Sequence, residues 1–99
     1  MITITDLTGE EPWEAHIVLD VCRDGLLYTT DTGYAFVDVE AHPDSTYSEL
    51  TDRLIEHDLV AVGQPGRVQL DDGTYTVAQL DITDAGRQFF DQLTTALGL

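Results

Sequence analysis

Four arginines, at positions 23, 53, 67 and 87, are the entire cationic inventory of this 99-residue sequence, set against 19 Asp and Glu and no Lys. A guanidinium can fork onto a phosphate or a guanine edge. Carboxylates can ligate hard cations or trade protons, and Glu40-Ala41-His42-Pro43-Asp44 places carboxylate, imidazole and carboxylate at alternate positions. Structural zinc, however, wants four ligands in paired Cys/His spacing, and the single Cys22 has no second cluster near it. His42 therefore reads as a loop residue before a proline, His57 as a helix C-terminal residue, and no metal or cofactor is expected. The sequence lacks a dinucleotide fingerprint, a lysine-bearing phosphate loop, a nucleophile elbow and a His-Glu-x-x-His run, so an enzyme is not expected. Cys22 is expected to be packed and inert.

The charge itself is the next constraint. A formal net charge of −15 opposes the compact state by self-repulsion, and screening relieves it. At about 1 M salt the Debye length is near 3 Å. The acids are spread from Asp6 to Asp91, with no run longer than the pairs Glu10-Glu11 and Asp71-Asp72. Dispersion of this kind fits adaptation to a salt-rich solvent better than a dedicated acidic patch.

The elements that must position these residues follow from periodicity and caps. Met1–Leu7 alternates Ile with Thr and predicts a short strand. Thr8 and Glu11, with Pro12, open a first helix whose apolar face would be Trp13, Ile17, Val18, Val21 and Cys22, closed at Gly25. Leu26–Thr30 and Tyr34–Val39 around Asp31-Thr32-Gly33 predict a hairpin. Thr46 and Glu49 open a second helix, to about His57, with Tyr47, Leu50, Leu54 and Ile55 facing inward. Leu59–Val62 predicts a strand, Val68–Leu70 and Thr74–Leu80 a second hairpin, and Thr83 caps a third helix burying Ala85, Phe89, Phe90, Leu93 and Leu97. Helical spacing offers Arg53 to Glu49, Arg87 to Asp84 and Asp91, and Arg23 to Asp20 and Asp24 as ion pairs; Arg67 has no such partner.

Ninety-nine residues with 42% hydrophobic content suit one α+β domain over residues 1–99. With no apolar run of membrane-spanning length and no signal-like N-terminus, a cytoplasmic protein without a membrane or an evident small-molecule ligand is the expectation.

The stretch Glu56-His57-Asp58-Leu59-Val60-Ala61-Val62, a hairpin, and Leu80-Asp81-Ile82-Thr83-Asp84-Ala85-Gly86-Arg87 resembles the second half of prokaryotic winged-helix proteins. The resemblance implies a winged-helix-like fold of three helices and antiparallel hairpins, with the second helix as recognition helix and the second hairpin as wing. It departs from the family where a hairpin, Leu26–Val39, stands in place of the helix before the recognition helix. Joined to the charge balance, it suggests a degenerate winged-helix domain of a haloarchaeon or haloarchaeal virus. The implied partner is double-stranded DNA, bound by a homodimeric transcriptional regulator in which Arg53 and Arg67 reach phosphate or guanine and Thr46, Tyr47, Ser48 and Gln64 add neutral hydrogen bonds. The dimer would join through Met1–Leu7 or the Phe89-Phe90-Leu93-Leu97 face. The alternative is a protein-interaction or assembly module of the same fold with no DNA contact.

Overall fold

Thr3 and Asp6 decide how the chain starts. The computed structural model describes residues 3–30, 33–36, 47–70 and 73–99, and over Ile4–Asp6 it forms a 3-10 turn where the Ile/Thr alternation predicts a strand. The Thr3 backbone N–H donates to the Asp6 carboxylate at 2.7 Å and the Thr3 hydroxyl donates to the same oxygen at 3.1 Å. These local bonds offer the backbone an alternative to a sheet ladder.

Helix α1 spans Glu11–Arg23. Glu11 reaches back to the Thr8 N–H at 3.0 Å, so half of the expected capping box forms although the helix itself begins later. At its far end Gly25 takes φ +72°, and the Gly25 and Leu26 N–H groups return to the carbonyls of Cys22 and Val21, a left-handed closure that favours glycine. The buried face of α1 is Ala15, Val18, Leu19 and Cys22. The expected face is thus rotated: Val18 and Cys22 are inside, while Trp13 and Ile17 are 47% and 42% exposed.

Strands β1 (Leu27–Thr30) and β2 (Gly33–Phe36) pair antiparallel, with Thr30 opposite Gly33, which is the expected hairpin. Its Asp31-Thr32 turn and the continuation to Val39 lie outside the described residues, as do the Glu40–Asp44 run and Thr46.

Helix α2 spans Ser48–Glu56 and buries Leu50, Thr51 and Leu54. It closes without glycine: Asp58 adopts φ +60°, and the Leu59 N–H returns to the Leu54 carbonyl at 2.9 Å. Strand β3 (Val60–Val62) then leads into β4 (Gly66–Leu70), and both pair with the long β5 (Gly73–Ile82). Val62 faces Leu80 and Gly66 faces Val77, so the three residues between β3 and β4 oppose two of β5, one residue in excess as in a bulge. Strand β1 pairs with β5 through Tyr28–Gln79 and Thr29–Ala78, completing an antiparallel sheet.

Helix α3 (Asp84–Ala96) is fixed at its start by Thr83, whose hydroxyl accepts from the Gly86 N–H at 3.0 Å and donates to the Asp58 carbonyl at 2.6 Å. Gly86 lies so near the Leu59 carbonyl that any Cβ would collide with it. The core gathers Leu19, Leu27, Leu54, Leu59, Leu80 and Leu93, all fully buried, from the three helices, the turn after α2 and the helix-facing side of the sheet. On α3, Phe89 and Leu93 are buried as expected.

Candidate nucleic-acid interface

Arg53 projects from the middle of α2, and the structure engages it inside the molecule. Its guanidinium donates to Glu11 at 2.6 Å, with both side chains about one-third exposed. The expected partner four residues back, Glu49, is not used. Glu11 also accepts from the Thr8 backbone N–H and hydroxyl, and these bonds first, with the Arg53 charge after them, hold its carboxyl below the ordinary Glu range. The network ties the start of α1 to the middle of α2.

The outward face of α2 consists of Ser48, Glu49, Asp52 and Glu56, all exposed. Asp52 accepts a short hydrogen bond from the Tyr34 hydroxyl on β2. Burial first, and then this carboxylate, raise the Tyr34 phenol above its ordinary value. The hairpin standing where a winged helix has its preceding helix is thereby fastened to α2. At the N-terminus of α2, Tyr47 rather than Thr46 occupies the cap position, in a left-handed conformation and without a side-chain capping bond. The Tyr47 ring is half-buried against the core, and Ser48 is already hydrogen-bonded or in contact within the chain.

The wing carries the remaining candidates. Gln64 lies exposed in the bulge between β3 and β4, and Arg67 is exposed on β4 opposite Thr76. Among the described residues Arg67 forms no ion pair. The six sequence candidates therefore divide. Gln64 before β4 and Arg67 on β4 are exposed, Ser48 is exposed but engaged within the chain, Arg53 is committed to Glu11, Tyr47 packs against the core, and Thr46 lies outside the described residues.

The other arginines are structural or unengaged. Arg23 pairs with Asp20 at 2.5 Å and lies over the Phe90 ring at 5.1 Å, while His16 stacks on Phe90 at 4.5 Å. His16 and Arg23 stand two helical turns apart, about 10.5 Å at 1.5 Å per residue. Both side chains meet the same Phe90 ring. Sequence reasoning missed this contact; the seven-residue spacing of His16 and Arg23 was its only trace. Arg87 is exposed and, among the described residues, pairs with neither Asp84 nor Asp91. Cys22 is buried, and that burial, with a smaller effect of the Asp81 charge, pushes its thiol up to about 12, far from reactive. Among the described residues no group of three His, Cys, Asp or Glu side chains could hold a metal ion. None of the described helices is long and apolar enough to cross a membrane.

Three helices with a curled antiparallel sheet of hairpins are compatible with a small winged-helix-like domain. Comparisons with protein-family models, curated proteins and solved structures find no match.

Proposed function

We propose that this chain is a protein-interaction or assembly module with a winged-helix-like fold, working in the cytoplasm of a salt-adapted microbe or its virus. The observation that carries the reading is the outward face of α2. Where a recognition helix would bring cations to phosphate, α2 offers Glu49, Asp52 and Glu56, and its one arginine is turned to Glu11. DNA affinity draws on Lys and Arg that release counterions from phosphate, and this face has none to spare. Trp13 and Ile17, four residues apart on α1 and nearly half-exposed, supply the apolar anchors that protein partners use.

A second reading, a homodimeric winged-helix regulator bound to double-stranded DNA, is favoured by Arg67, exposed on the wing and, among the described residues, without an ion pair. One titration separates the two. Fragments of the neighbouring promoter and random DNA are titrated in roughly 2 to 3 M KCl, where carboxylate repulsion is screened. Flat curves with a folded protein are expected. Sequence-specific binding that Arg67→Ala weakens would overturn the module reading in favour of the regulator.

A further inference from the structure

Trp13 and Ile17 belong to a longer stripe of α1. Glu10, Trp13, Ile17, Asp20 and Asp24 follow one another at steps of 3, 4, 3 and 4 residues, the spacing of the seam along which one helix packs on another. The stripe is apolar in the middle and acidic at both ends. Glu14, three residues before Ile17, adds a carboxylate beside it. The two apolar side chains are 47% and 42% exposed, and at 1.5 Å per residue they stand about 6 Å apart along the axis.

The charges select what can cover this stripe. Among the described residues, Glu10 and Glu14 form no ion pair, while Asp20 and Asp24 share Arg23 at 2.5 and 3.8 Å. That guanidinium, the one arginine of α1, also lies over the Phe90 ring of α3. A second copy on the stripe would set carboxylate against carboxylate in either orientation: Glu10 against Glu10 with the helices parallel, Glu10 against Asp20 or Asp24 with them antiparallel. Phosphate would meet the same carboxylates. The outward face of α2 lacks the other half of the pattern, since its exposed residues are Ser48, Glu49, Asp52 and Glu56, none of them apolar.

We infer, resting on the interaction-module reading, that this stripe of α1 docks a basic amphipathic helix of another protein, with apolar side chains on Trp13 and Ile17 and Arg or Lys about one turn beyond them at each end. Taking the indole and the isoleucine out of water supplies the affinity, and the outer charges fix the register and the choice of partner. Discrimination persists in molar salt, because charges at the rim of an apolar contact are partly desolvated and so less screened than free surface charges.

Trp13 is the only tryptophan, so its emission reports on the stripe directly. The probe is a synthetic tryptophan-free alanine-based peptide of about 20 residues, long enough to hold a helix, with two Leu four residues apart and Arg one turn beyond them at each end. It is titrated into the full chain at 1 and 3 M KCl, with folding checked by circular dichroism. A saturable shift of the Trp13 emission to shorter wavelength is expected. Replacing the peptide's Arg by Glu should weaken binding about fivefold or more at 1 M KCl, as several rim ion pairs turn to repulsion, and by less at 3 M. Replacing its Leu by Ala should abolish the shift. Glu10→Gln with Glu14→Gln should remove most of the preference for Arg over Glu, whereas Glu49→Gln on α2 should leave it intact. Should the double variant fail to fold, Ile17→Ala, which spares the core, is expected to weaken the Arg peptide by about fivefold or more. An unmoved Trp13 emission overturns the assignment, as do equal affinities for the Arg and Glu peptides at 1 M KCl or a preference that Glu49→Gln removes. If a labelled Arg peptide binds by anisotropy while the Trp13 emission stays constant, the stripe is excluded and the module reading stands. The DNA titration tests that reading separately.

Discussion

Helices α1 and α2 feed the same core and differ in what they show to the outside. α2 is cleanly two-sided, with Leu50, Thr51 and Leu54 buried and Ser48, Glu49, Asp52 and Glu56 exposed. α1 buries Ala15, Val18, Leu19 and Cys22 and still exposes Trp13 and Ile17. A helix with apolar residues on one side needs only its own domain to satisfy it. One with apolar residues on two sides has surface left for something else. The contrast separates the helix whose outward face is acidic from the helix whose outward face keeps exposed apolar residues, and the one arginine of α2, Arg53, is held by Glu11.

The assignment of the α1 faces breaks or holds on one substitution. Leu19 is fully buried, and Leu19→Ala is expected to cost about 2 to 5 kcal/mol of unfolding free energy, combining lost transfer energy with a cavity. Chemical denaturation in high salt measures it. A cost under about 1 kcal/mol, the usual surface value, would mean that α1 presents a different face to the core.

Next in size is the joint that holds α2 in place. Gly86→Ala drives a methyl group toward the Leu59 backbone carbonyl, which cannot swing away as a side chain could. The expected loss is about 1 to 3 kcal/mol, the common range for overpacking. Thr83→Ala removes both the cap on α3 and the hydroxyl bond to Asp58, for about 1 to 2 kcal/mol. These two residues belong to the Thr-Asp-Ala-Gly-Arg run behind the winged-helix resemblance, and their observed roles are architectural: they dock the third helix on the end of the second. If both substitutions were silent, the α2–α3 joint described here would be wrong and the outward face of α2 with it.

Legibility from sequence follows the range of the deciding interaction. The Thr83 cap, the β1–β2 hairpin and the inward side of α2 depend on residues within a few positions of one another, and all were readable. Over Ile4–Asp6 a 3-10 turn stands where the alternation predicts a strand, because Ile/Thr alternation carries no information about the Thr3–Asp6 hydrogen bonds that compete with it. On α1 the expected Val18 and Cys22 are buried while Trp13 and Ile17 are not, for a different reason. Trp13, Ile17 and Val21 form one helical stripe, Ala15, Leu19 and Cys22 another, with Val18 beside both. Periodicity cannot rank two apolar stripes; only the tertiary partners can. Among the site candidates, Arg53 was offered to Glu49 by spacing and taken by Glu11, 42 residues away, a choice that no local pattern encodes.

The Glu11 network sharpens the comparison from the α2 side through pH. The folded protein holds the Glu11 carboxyl below its ordinary range, chiefly through the Thr8 backbone bond. A depressed folded value means that its contribution is complete above the unfolded Glu range and is lost as pH falls through the lower, folded value. Glu11→Gln should therefore flatten the acid limb of the stability profile while changing neutral stability less than a core substitution does. It also frees Arg53. If Arg53 then lends α2 an affinity for DNA that the unaltered chain lacks, the carboxylate is what silences that helix. An unchanged acid limb would show that the Glu11–Thr8–Arg53 network does not form in solution.

The smallest expected change completes the pair with Leu19. Ile17 lies on the same helix, two residues away and on the opposite side, 42% exposed. Ile17→Ala is expected to alter stability by no more than about 0.5 to 1 kcal/mol, since only part of its surface leaves water on folding. Hydrophobicity alone cannot account for such a difference between Leu19 and Ile17, because their side chains are nearly equal in apolar content. The ratio of the two losses thus reports only which side of α1 meets the core. A near-equal loss at both positions would mean that Ile17 is covered in solution, by a partner chain or by the residues around it, and repeating the measurement across a range of protein concentrations would tell these apart, since only a partner's contribution varies with concentration.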